Sequence, residues 1–69
     1  MHPQIIDGYL IASKATEASI TTWMNAHGAD AESASCAGQG WREEVGDNNL
    51  QQNLSYIKVA ACGAEVKWL

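Results

Sequence analysis

The sequence predicts a small α+β domain: one main helix packed on a small antiparallel sheet, with a C-terminal β-hairpin. Three observations predict it. Residues 54–69 form the densest run of strand-favouring side chains in the chain. Asp7-Gly8 lies between apolar residues, a strong short-range hairpin signal. Between these stretches Ile20, Trp23, Met24 and His27 recur at helical spacing. The 69 residues make one domain, 1–69, with no internal repeat and no dividing linker. A chain this short buries only about 60% of its unfolded surface, so stabilisation by a partner or by self-association is expected.

The first arm of the Asp7-Gly8 turn is very short. The strand expected from this region is therefore 9–12, lying beside the C-terminal hairpin. The main helix is expected at about 14–27, with Ser13 or Thr16 as N-cap, Glu17 near the positive end of the dipole and Gly28 as the stop. Ile20, Thr21 and Thr22 are β-branched, so packing rather than intrinsic preference must hold it. Without the turn, the helix would start at Pro3 and run to His27. Asp30 is placed to cap a short helix ending before Gly38. Gly38-Gln39-Gly40 reads as a break, and 38–49 as exposed loop apart from Trp41 and Val45. Residues 41–45 read as a short extended piece or a single helical turn.

Folding 54–69 about Cys62-Gly63 sets Ile57 opposite Trp68 and Val59 opposite Val66 on one apolar face. Tyr56, Lys58, Glu65, Lys67 and Leu69 fall on the other face. A competing pattern exists. Leu50, Leu54, Ile57, Ala61, Ala64 and Trp68 are spaced as a helical seam that Asp47 would cap, giving an all-α helical hairpin that dimerises. Gly63 and the β-branched Ile57, Val59 and Val66 favour the strands.

The formal charge is −4, and Asp30, Glu32, Glu43, Glu44 and Asp47 face only Arg42 in the middle of the chain. No basic footprint marks direct nucleic-acid binding. No segment reaches the length of a membrane span, and no basic leader opens the chain, so a cytoplasmic protein is expected. In that compartment Cys36 and Cys62 would be reduced thiols; export would let them pair.

The sequence carries no motif whose chemistry can be named. His2, His27, Cys36 and Cys62 lack the close spacing of a zinc site, and neither metal nor cofactor is expected. Cys36 with His27 has no orienting third group. Gly38-Gln39-Gly40 lacks the lysine and hydroxyl of a phosphate loop. The chain therefore reads as non-enzymatic. Trp41 stands beside Arg42, Glu43, Glu44 and Asp47, and these five are the candidate partner-binding residues, since Trp and Arg dominate interface hot spots. The opposing reading folds Trp41 back as a lid over a thin core. The functional expectation is a protein-binding inhibitor, adaptor or regulatory factor that occupies a surface on a larger host or cognate protein. Small stand-alone domains of this kind are common among accessory genes of phages and mobile elements. The alternatives are a self-associating assembly component, with a homodimer as its simplest form, and a small metal- or ligand-binding module using Cys36, Cys62 and His27.

Overall fold

A computed structural model describes residues 3–47, 54–59 and 62. Its elements run β1 (Gln4–Ile6), β2 (Tyr9–Ser13), α1 (Glu17–Ala26), α2 (Ala31–Glu44) and β3 (Leu54–Lys58). The strands form an antiparallel sheet in the order β1-β2-β3. The fold is α+β, as expected, and the all-α alternative is excluded because Leu54–Lys58 is a strand.

Asp7 and Gly8 both have positive φ, 52° and 80°. Such a pair matches the right-handed twist of the flanking strands and closes the β1–β2 hairpin with Ile6 opposite Tyr9. The helix from Pro3 is thereby ruled out. β2 then pairs along its whole length with β3, from Tyr9↔Lys58 to Ser13↔Leu54. The central strand thus bonds both to its neighbour in sequence and to the far end of the chain. The first arm of the expected C-terminal hairpin is β3, with Ile57 buried and Tyr56 and Lys58 exposed. The second arm, and the pairs involving Val66 and Trp68, lie outside the described residues.

α1 starts at Thr16, whose side chain accepts from the Ser19 N–H at 3.2 Å while Ser19 Oγ accepts from the Thr16 N–H at 2.8 Å. This reciprocal box satisfies two free helix-end donors. The helix stops where Gly28 takes φ 99°, and the Ala29 N–H closes on the Met24 carbonyl at 3.0 Å.

The largest departure from expectation is α2. Asp30 does cap it, accepting from the Ser33 N–H at 2.7 Å, and that bond holds the Asp30 carboxyl below its ordinary pKa. The helix does not end before Gly38, however, but runs on through Gly38-Gln39-Gly40 and Trp41 to Glu44. Residues 38–44 are therefore neither a break nor an exposed loop. Gly38 is buried at the crossing with α1, where a Cβ would run into Thr21 Oγ1 and lie 3.0 Å from the Glu17 carbonyl. The missing side chain lets the helices approach, and packing outweighs a propensity cost of about 1 kcal/mol.

The core lies between the helix pair and one face of the sheet. Leu10, Ala12 and Ile57 supply the sheet side, Ile20 and Met24 the α1 side, and Ala34, Ala37 and Trp41 the α2 side. Cys36 and Cys62 are bonded to each other, with Cα atoms 5.7 Å apart and 26 positions between them in sequence. This corrects the expectation of reduced thiols. The fold brings α2 and the turn after β3 to bonding distance, a juxtaposition that no local spacing encodes. The bond fastens the chain beyond β3 to the helical layer.

Two outcomes follow from this packing. Gly38→Ala should lower stability by about 1–3 kcal/mol in urea denaturation, because overpacking at the crossing exceeds the helix-propensity gain. Adding Thr21→Ala should recover part of that loss. Reduction of Cys36–Cys62, or its replacement by serines, should cost about 3 kcal/mol for a loop of this length. Coincident unfolding curves with and without dithiothreitol would show that the bond contributes nothing.

Candidate interaction surface

Of the five residues expected to bind a partner, Trp41 sits elsewhere than the sequence suggested. It is 0% exposed, and its indole N–H donates to the Ala15 carbonyl at 3.0 Å. Trp41 is therefore not a surface anchor. The lid reading describes it better, with the ring fully inside the core. The helical period explains this: Ala34, Ala37 and Trp41 share one face of α2, at spacings of three and four. Trp41 looked loop-borne only because the flanking glycines read as breaks.

The other four remain at the surface, along the edge where the end of α2 meets the start of α1. Arg42 pairs with Glu17 at 3.2 Å, a half-exposed contact of small energetic value. The Asp47 carboxylate accepts from the Glu17 N–H at 2.6 Å, so it supports the α1 N-terminus. Glu43 and Glu44 are exposed in the last turn of α2. Arg42 and Asp47 thus have internal partners, and the group forms a solvated helix edge.

The outer face of the sheet has a different character. Side chains alternate along each strand, and the outward set from the three strands is Gln4 and Ile6, Tyr9, Ile11 and Ser13, and Leu54, Tyr56 and Lys58. Ile6, Leu54 and Tyr56 are 50%, 72% and 69% exposed. Tyr9 and Tyr56 meet edge to face with ring centres 5.7 Å apart, and Lys58 Nζ lies 6.0 Å from the Tyr9 ring centre. Ile6, Asp7, Tyr9, Ile11 and Tyr56 line a shallow open groove of about 410 Å³. A second open groove, about 510 Å³, runs beside Thr16, Glu17, Thr21 and Asp47.

Sequence reasoning missed this face, although β2 carries the signal. Tyr-Leu-Ile-Ala is apolar in both of its alternating registers. A strand with one wet face shows alternation of apolar and polar residues instead. The inward set of Leu10 and Ala12 accounts for the core, which leaves Tyr9 and Ile11 as an apolar surplus facing out.

Among the described residues, neither groove brings a nucleophile together with a base. Cys36 and Cys62 are bound to each other, and His27 Nδ1 is 2.8 Å from the Trp23 carbonyl with its ring stacked on that indole. His27 thus caps the end of α1, just before Gly28. Among the described residues, no three His, Cys, Asp or Glu side chains are grouped to hold a metal ion, and no helix is long and apolar enough to cross a membrane. Comparison with protein-family models, curated proteins and solved structures finds no match to this chain.

Trp41→Ala should cost about 3–5 kcal/mol, enough to unfold most of so small a domain. Trp41→Phe keeps the ring but orphans the Ala15 carbonyl, and should cost about 1–2 kcal/mol. Thermal denaturation of both variants checks this; full stability in Trp41→Ala would contradict the burial.

Proposed function

We propose that this is a non-enzymatic binding protein, an inhibitor, adaptor or regulatory factor that works by occupying a surface on a larger protein. The observation that carries the reading is the outer sheet face. Tyr9, Ile11, Leu54 and Tyr56, with Ile6 at the edge, make one continuous apolar and aromatic surface. Contiguous apolar surface on a small protein marks contact with another macromolecule. Tyrosine suits such contact because it adds large area with few rotatable bonds and keeps a polar tip. The disulfide adds a condition on where this happens. Such bonds persist in oxidising compartments, which supports a site of action outside the reducing cytoplasm that the sequence had led us to expect.

The reading is tested by affinity capture from the native host, with mass spectrometry, using the intact protein and two paired variants. Leu54→Glu/Tyr56→Glu alters the sheet face, and Glu43→Lys/Glu44→Lys alters the α2 edge. All four positions are exposed, so circular dichroism should stay unchanged. The sheet-face variant should lose a larger partner by about tenfold or more, while the α2 variant keeps it. The reverse pattern would move the contact to the helix edge, and equal retention by both would remove either surface as the site.

A further inference from the structure

We propose that the outer sheet face docks a second copy of this chain, the two sheets packing face to face about a two-fold axis parallel to β2. The inference rests on reading that face as a contact surface, and it names the occupant present whenever the protein is alone.

The architecture is half of a layered sandwich. One face of the sheet is covered by α1 and α2, and the opposite face carries apolar side chains of the kind that pack against another layer. Charge decides what that layer is. Asp7 and Lys58 border the apolar centre at the same end of the sheet but on opposite sides of β2. Asp7 stands in the β1–β2 turn and lines the groove, whereas Lys58 lies on β3 opposite Tyr9. A face of one sign would select an oppositely charged stranger. Among the described residues this one carries one charge of each sign, on either side of its own middle strand.

A two-fold parallel to β2 exchanges the β1 side with the β3 side and leaves the turn end in place. Lys58 then lies over the second copy's Ile6, one position from Asp7 and within side-chain reach of its carboxylate, and the same holds in reverse, so one surface yields two complementary pairs. This is the self-complementarity that a two-fold interface requires. The same operation sets Tyr9 and Ile11 each over its own counterpart and Tyr56 over Gln4. Packed sheets stand about 10 Å apart, within the combined reach of a lysine and an aspartate side chain.

The pairing is small. Three strands of three to five residues span at most roughly 15 by 17 Å, well short of the ~800 Å² per partner of a standard stable interface. Self-association is therefore weak, with dissociation in the micromolar to millimolar range. A larger protein that uses the same face displaces the second copy.

Sedimentation equilibrium of the purified full chain over a concentration series, at low salt, tests this with no other protein present. A monomer–dimer equilibrium is expected. Lys58→Glu sets like charges against Asp7 of the second copy and should weaken the dimer roughly five- to tenfold; Asp7→Lys should do the same. An equimolar mixture of the two variants should restore it, since each then carries what the other lacks. Asp7 has positive φ, so the fold of Asp7→Lys is checked by circular dichroism. If that variant does not fold, Asp7→Asn in the Lys58→Glu background should recover part of the lost affinity, because asparagine tolerates that conformation. A chain monomeric at every concentration would overturn the proposal, whether its own C-terminal residues or only a foreign protein covers the face. So would a dimer indifferent to these substitutions. Neither result touches the capture experiment, which tests the larger partner separately.

Discussion

Trp41 joins the helical layer, the sheet and the bend between β2 and α1. Its ring lies in the core shared by Leu10 of β2, Ile20 and Met24 of α1 and Ile57 of β3, and its N–H reaches the Ala15 carbonyl in the passage from β2 to α1. That carbonyl stands where the chain turns from strand to helix, next to Lys14 at φ 54°. A backbone acceptor at such a bend has no ladder partner, and burying it unpaired would cost about 1–3 kcal/mol. The indole supplies the missing donor from 26 residues away. The largest side chain of the core and the polar requirement of a bend are thus satisfied together.

The position of Trp41 depends in turn on Gly38, one helical turn earlier. α2 approaches α1 only because no Cβ stands between it and the Glu17 backbone. This explains which parts of the fold were legible in the sequence. The Asp7-Gly8 hairpin, the helix through Ile20 and Met24, its stop at Gly28 and the Asp30 cap are written in local chemistry: positive φ, periodicity and side-chain hydrogen bonds. The body of α2 is written in a tertiary contact. Two glycines within three residues read as a break until a neighbouring helix is known to lie against one of them. A break at those glycines puts Trp41 and its charged neighbours in a loop and on the surface, whereas the continuous helix puts Trp41 in the core.

The strand at 54–58 was legible for another reason. Its inward residue Ile57 and the following Val59 are β-branched and buried, and its outward residues Tyr56 and Lys58 form an exposed row. The expected place of 9–12 beside this stretch is where β2 lies, but the register of the pair rests on closing a loop of some forty residues, which no local signal specifies. The disulfide belongs to the same class. Cys36 and Cys62 meet only after α2 has passed through the glycines and β3 has joined the sheet. A small core with one large aromatic and several alanines gains much from a cross-link that narrows the unfolded ensemble.

These constraints bear on how the molecule works. A sheet that has spent Leu10, Ala12 and Ile57 on its core still shows Tyr9, Ile11, Leu54 and Tyr56 to the outside. Ordinary stability gives no reason for that second apolar set: polar residues on a wet face would serve the monomer as well and would lower its tendency to aggregate. The outward set gains free energy only when something covers it. At the same time the helices and their flanks carry most of the acidic residues, including Glu17, Asp30, Glu32, Glu43, Glu44 and Asp47, leaving Asp7 and Lys58 at the sheet face. The protein is therefore two-sided, with a charged helical layer suited to water and an aromatic sheet suited to contact. On the function proposed above, such a domain would act through what it lies against, with its helices supporting the three strands that carry the contact face.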